Sequence, residues 1–142
     1  MSYKIVIRAV SNSRPGKNPD FTTNDEWVCL TNEGSEPVNM EGWILLNCKT
    51  DNKHYYHFYF PASIEGHAMN LEPGQSAFVI TGSGKDCVVK SSDGHPDQFM
   101  FYMNKSEFIW NQAKDQVYLY KYLKDNNKEI YELVARKEIT VG

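Results

Sequence analysis

No run of this 142-residue chain is apolar for long enough to form a membrane-spanning helix. The opening stretch, MSYKIVIRAV, alternates apolar and polar residues where a secretory leader would carry an unbroken apolar core. A soluble chain is therefore expected, cytoplasmic by default and extracellular only if a leader has been removed ahead of Met1. Positive charge is not in excess: the formal net charge is −3. That balance disfavours a general phosphate-neutralising surface and places nucleic acid low among the partners. Cysteine is scarce and odd in number, with Cys29, Cys48 and Cys87 lacking any C-x-x-C spacing, so neither a zinc site nor a complete disulfide framework is indicated. The cysteines read as free thiols, two or more of them buried as small hydrophobes.

Catalytic signatures are missing as well. The loop Gly82-Ser-Gly-Lys-Asp86 has the look of a phosphate loop, but the leading glycine is absent and Asp86 stands where a Mg²⁺-binding Ser or Thr is needed, so it reads as a hairpin loop. No Gly-x-Ser-x-Gly elbow occurs, and Cys29 sits in a strand whose burial would keep its thiol protonated. His54 and His57 lie three apart on an expected strand, on opposite faces, and cannot share a metal. The loops around Asp51 and Asp93 lack the spacing of a calcium-binding loop. Asn104-Lys-Ser reads as a surface turn. No enzyme, cofactor or metal is expected. The rival reading is a small hydrolase or metal-dependent enzyme whose site is assembled from loops by His67, Asp93, His95 and Asp115, which sequence alone leaves open.

What the chain has is strand periodicity. Apolar residues recur at spacing two, as in Ile5 with Ile7, Val28 with Leu30, Phe58 with Phe60, Phe78 with Ile80, and Val117 with Leu119. Clusters of Gly, Pro, Asn and Asp separate these runs. Pro73-Gly74 suits a type II turn with a hairpin nearby. Asn126-Asn127 tolerates left-handed backbone and can close strands over 117–123 and 129–135. No segment keeps helical spacing with caps, and the stretch from Asp97 to Trp110 reads as a strand, a turn and a second short strand. The expectation is all-β: a single domain over residues 1–142, built as a two-sheet antiparallel β-sandwich of about eight or nine strands.

Several blocks then carry a family resemblance. The strand EWVCLTN (Glu26 to Asn32), the turn GSEPVNMEGW (Gly34 to Trp43), YHFYFP (Tyr56 to Pro61), LEPGQSAFVITG (Leu71 to Gly82) and FIWNQAKDQVYLYK (Phe108 to Lys121) come in one order. In that order they resemble the lamin tail domain family. Lys85 to Lys105 matches no family pattern, and the last strand matches loosely. The resemblance implies an immunoglobulin-like sandwich and a non-catalytic interaction or targeting module. Lamin tails bind partner proteins and have reported DNA contacts, while prokaryotic members are often attached to secreted or membrane-associated hydrolases and nucleases. Physically, the Gly34–Trp43 turn must reverse the chain and insert Trp43 beneath the sandwich, with Gly42 leaving room for close approach. Burying that indole contributes on the order of 2 to 3 kcal/mol or more, a large share of the roughly 5 to 15 kcal/mol by which domains are stable.

The tyrosines point toward a surface. If Phe58 and Phe60 face the core, Tyr55, His57 and Tyr59 face outward. If Val117 and Leu119 are inward, Tyr118, Tyr120 and Tyr122 form a second outward row. Exposed tyrosines are a platform for docking a protein or stacking on sugars or bases; the competing reading is that they are cross-strand pairs that only stabilise the sheet. Tyr55, Tyr59, Tyr118, Tyr120 and Tyr122 are thus the candidate binding residues, with a protein or carbohydrate partner ahead of nucleic acid. Lys114, Lys121, Lys124 and Lys128 could add a small positive patch. An exposed edge strand would instead support weak self-association.

Overall fold

The computed structural model describes residues 4–13, 16–48, 57–90, 96–111 and 116–140. Its strands run β1 (Ile5–Ser11), β2 (Trp27–Asn32), β3 (Val38–Asn39), β4 (Ile44–Cys48), β5 (His57–Tyr59), β6 (Ser63–Ile64), β7 (His67–Ala68), β8 (Asn70–Leu71), β9 (Ser76–Ile80), β10 (Cys87–Val89), β11 (Gln98–Tyr102), β12 (Gln116–Asp125) and β13 (Lys128–Glu138). Nine of these make the two main layers, a five-stranded sheet ordered β1-β2-β9-β11-β10 and a four-stranded sheet ordered β13-β12-β4-β5. The rest form two-residue ladders, β3 with β8 and β6 with β7. The nine strands match the expected sandwich. One pair departs from the antiparallel pattern: β9 and β11 run parallel, Ala77 opposite Phe99 through Ile80 opposite Tyr102.

That parallel pair changes the meaning of the Gly82–Asp86 loop. It does not close a hairpin, because β11 lies between β9 and β10. Its amides are consumed internally: Gly82 N donates to Thr23 O at 3.0 Å, Ser83 N to Asn24 Oδ1 at 3.0 Å and Gly84 N to Asn104 Oδ1 at 3.1 Å. A β-carbon on Gly82 would sit 1.9 Å from Asn24 Oδ1, so only glycine fits. The loop is a crossover stitched to the Thr23–Asp25 turn, with the amides of Gly82, Ser83 and Gly84 already bonded within the protein.

Between the layers, Val28, Leu30, Val79, Phe99 and Phe101 of one sheet meet Leu45, Val117 and Leu119 of the other. Phe101 packs against Phe58 and Phe60 at ring distances of 5.5 and 5.6 Å, tying the layers together. Trp43 is buried in this core, as expected. It enters on a turn in which Gly42 holds φ +78° and Trp43 N donates to Met40 O at 3.0 Å. The irregular stretch before it is clasped by buried Asn32, whose Nδ2 donates to Glu36 O (2.8 Å) and Leu71 O (2.9 Å) while its Oδ1 accepts from Gly34 N (2.9 Å). The careful specification of that turn belongs to folding.

The segment through Phe108–Trp110 is not the second short strand its alternation suggests. Ile109 and Trp110 are both buried, and their amides donate to the Glu26 carboxylate, at 2.8 Å to Oε1 and 3.2 Å to Oε2. Thr81 Oγ1 donates to Oε1 as well, at 2.7 Å. Glu26 is fully enclosed, so it acts as a buried staple joining β2, the end of β9 and the long connection into β12. Burial pushes its carboxyl above the ordinary range, with the bonds from Ile109, Thr81 and Trp110 opposing that rise.

Both turn expectations hold in geometry. Gln75 N donates to Glu72 O at 2.9 Å across Pro73-Gly74, with Gly74 at φ +81°, and the nearby hairpin is β6–β7, closed by Glu65 and Gly66. Asn126 and Asn127 take φ +48° and +66° and close β12 onto β13. That hairpin is longer than the sequence suggests, reaching from Gln116 to Glu138.

Candidate binding face

The outward side of the four-stranded sheet is built by register. Ile44 of β4 lies opposite Tyr59 of β5 and also opposite Tyr120 of β12, and Tyr120 in turn faces Leu133 of β13. One row therefore reads Tyr59, Ile44, Tyr120, Leu133. The next row places Leu46 beside Tyr118, and Tyr118 beside Arg136. In the third, Tyr122 faces Tyr131 with ring centroids 5.5 Å apart. Ile44 and Leu46 are buried but stand outside the central core cluster that includes Leu45, so they are covered on this outer side.

Three members of the face are open to solvent: Tyr59 is 56% exposed, Leu133 49% and Tyr131 43%. Tyr118, Tyr120 and Tyr122 are half-buried. Tyr118 and Tyr120 sit 6.3 Å apart with ring planes tilted by 34°, and Tyr122 and Tyr131 are tilted by 53°. Partial desolvation, reinforced by the Glu129 carboxylate and the Tyr59 and Tyr122 phenols, raises the Tyr131 phenol above its usual range, a sign that these rings share one neighbourhood. Tyr122 is held from beneath, since a β-carbon at Gly42 would lie 3.2 Å from its ring.

Of the residues expected to form the site, Tyr59, Tyr118, Tyr120 and Tyr122 share this one sheet face. Tyr55 lies outside the described residues, as does the side chain of His57. Tyr131 and Leu133 join the face although sequence reasoning did not select them. A signal was available for Tyr131: it is the fourth residue after the two-residue turn, as Tyr122 is the fourth before it, and such a hairpin pairs them.

The other chemistry is dispersed. His67 is exposed on β7 and lines a groove of about 240 Å³ with Glu72, Gln75, Val88 and Asp97. Asp93, His95 and Asp115 lie outside the described residues, and among the described ones no three His, Cys, Asp or Glu side chains gather as a metal-holding group. Burial raises the Cys29 thiol above its usual range, and Cys29 and Cys87 are free thiols. Each described lysine of the expected patch stands opposite an acid: Lys121 Nζ lies 3.4 Å from Glu132, and in register Lys124 faces Glu129 and Lys128 faces Asp125 across the hairpin. Lys114 is outside the described residues.

With two packed sheets and this register in view, comparison with known families is decisive. A family model described as Lamin Tail Domain matches residues 2–136. The chain belongs to the lamin tail domain family. This immunoglobulin-like family accounts for the sandwich. The match also takes in Lys85 to Lys105, where sequence motifs alone offered no correspondence, and most of β13, which they matched only loosely. No curated protein matches the chain.

Proposed function

We propose that this lamin tail domain is a non-catalytic interaction module that docks a protein partner on the outer face of its four-stranded sheet. One observation carries the reading: Tyr59, Tyr131 and Leu133, all open to solvent, converge on a single face with half-buried Tyr118, Tyr120 and Tyr122. Exposed tyrosines on a sheet face are anchor residues for an apolar side chain of a partner, and Leu133 extends the apolar area beside them. The ring tilts of 34° and 53°, and the aliphatic Leu133 at the end of the first row, favour a protein over a carbohydrate, whose pyranose rings stack best on coplanar aromatics. The acids opposite Lys121, Lys124 and Lys128 count against nucleic acid.

Selection from a displayed peptide library tests this directly, with a glycan array in parallel. Peptides enriched on the wild type are expected to lose binding to Tyr59→Ala/Tyr131→Ala while the variant keeps its circular dichroism and melting transition. Peptides that bind both proteins equally, or a glycan signal that survives when peptide binding is absent, would overturn the assignment.

A further inference from the structure

Strand β13 is the outermost strand of its sheet among the described residues. Its far edge has two halves. Around Leu133 and Val134 it approaches the start of β1, where Lys4 and Ile5 line a groove with Lys121 and Glu132. Toward the turn it extends past β4, which pairs with β12 only from Gln116 to Tyr120, and its last hold on the sandwich is Tyr122, packed over Gly42. From Lys121 to Glu132 the hairpin is a two-stranded ribbon, an arrangement that is marginal in water by itself. It carries apolar residues on both faces, Tyr122 with Tyr131 on one and Leu123 with Ile130 on the other. Leu123 is 38% exposed, so three of the five exposed large hydrophobics among the described residues, Leu123, Tyr131 and Leu133, lie on this hairpin.

The backbone phase of the edge follows from the turn. In a hairpin closed by two residues the flanking pair, here Asp125 with Lys128, exchanges both hydrogen bonds, and bonded pairs recur at every second position. Ile130 and Glu132 therefore bond inward to β12, while the N–H and C=O groups of Glu129, Tyr131 and Leu133 point away from it. The sequence of this edge is also self-complementary. Turned antiparallel on itself about Ile130, the segment Lys128-Glu-Ile-Tyr-Glu132 sets Lys128 against Glu132 twice, Glu129 against Tyr131 twice, and Ile130 against Ile130, with no like charges opposed. In that register the outward groups of Glu129 meet those of Tyr131, which is the bonded phase that an antiparallel ladder requires.

We propose that the chain pairs with a second copy of itself through an antiparallel β13–β13 ladder centred on Ile130, joining two four-stranded sheets into one of eight strands. The ladder uses the strand edge and leaves the tyrosine face to its partner, so the dimer and the docking reading stand or fall separately.

Sedimentation velocity from low micromolar to millimolar protein tests the ladder. The wild type is expected to pass from monomer to dimer as concentration rises. Lys128→Glu and Glu132→Lys each turn two symmetry-related pairs repulsive, and each is expected to weaken dimerisation by about tenfold or more. An equimolar mixture of the two variants should restore the dimer, since every introduced Glu then faces a Lys. Because Glu132→Lys also breaks the pair with Lys121, Tyr131→Pro serves as a second probe: its N–H points away from β12, so proline spares the hairpin's own bonds and should leave a folded monomer. A wild type that stays monomeric throughout, a dimer indifferent to the swaps or to the proline, or a mixture that fails to associate would overturn the proposal.

Discussion

Replacing Glu26 with alanine should be the most damaging single change outside the apolar core. The carboxylate is fully enclosed and accepts three hydrogen bonds, from Thr81 Oγ1 at 2.7 Å, Ile109 N at 2.8 Å and Trp110 N at 3.2 Å. The Thr81 hydroxyl can rotate toward another acceptor, but the two amides are fixed by the chain. Leaving a buried donor without a partner costs about 1–3 kcal/mol, so the pair of amides sets a loss of about 2–6 kcal/mol. Removing the buried charge returns part of this, because desolvation is the largest influence on the carboxyl. The expected net is about 2–4 kcal/mol, measured as a shift in urea midpoint at unchanged slope. Hydrogen exchange should localise the effect, with the Ile109 and Trp110 amides losing protection before the centres of β2 and β9. A loss below about 1 kcal/mol, within the range of ordinary surface substitutions, would refute the assignment of Glu26 as the staple of the connection into β12.

The same carboxyl predicts a pH dependence. Its folded pKa lies above the ordinary 4.5, so the native state holds the proton more tightly than the unfolded one, and its contribution is fully present below 4.5 and is lost as pH rises through the folded value. Urea midpoints should decline across that window in the wild type and flatten in Glu26→Gln; a decline that persists in the glutamine variant would assign it to other groups. Gly42→Ala forces a β-carbon into left-handed backbone at φ +78° and within 3.2 Å of the Tyr122 ring, for an expected loss of about 1–3 kcal/mol and a perturbed Tyr122 ring signal by NMR. Asn127→Gly relaxes a residue held at φ +66° in a two-residue turn and should leave stability unchanged or raise it by up to about 1 kcal/mol in a thermal melt. Alkylation of the native protein should label Cys87, which is partly exposed, well before Cys29, which is buried with a raised pKa.

What could be read in advance follows from how far each signal travels along the chain. The alternation of Val117 and Leu119 with Tyr118 and Tyr120 needed only strand periodicity, and the structure buries the first pair and half-buries the second. The far strand of the same hairpin was harder. A register shift at Leu119 and Tyr120 makes Ala135 and Leu133 their partners, so Val134 is an extra residue and the alternation changes phase there. Leu133 therefore reads as core by pattern and lies on the outer face in the fold. Phe108, Ile109 and Trp110 mislead in the opposite way, since neighbours that are both buried suit a loop whose amides have found a buried acceptor. Nothing local to Glu26 announces that acceptor: a carboxylate at the start of a strand reads as solvated, and its partners Thr81, Ile109 and Trp110 are 55, 83 and 84 residues away. The parallel pairing of β9 with β11 is equally invisible to local pattern, because register between distant strands is written in the whole core.

The sheet edges show why the distal part of β13 stands apart. At β10 the strand has only three residues, and Glu65, at the tip of the β6–β7 hairpin, accepts from Val88 N at 2.5 Å, which caps an outward amide. At β1 a bulge between Ile7 and Ala9 breaks the ladder, and the strand lies alongside β13 at the closure of the sandwich. At β5 the described strand is again three residues long. Short edges, bulges and charged caps all discourage a further strand from adding. The distal half of β13 carries no bulge: its irregularity lies at Val134, beyond the segment from Lys128 to Tyr131. Its Lys and Glu residues would repel a copy laid in parallel, in register, but attract one laid antiparallel about Ile130. A strand that disfavours a parallel copy and matches an antiparallel one suits the proposed ladder, and the proline and charge-swap variants separate that outcome from a ribbon that is only solvated.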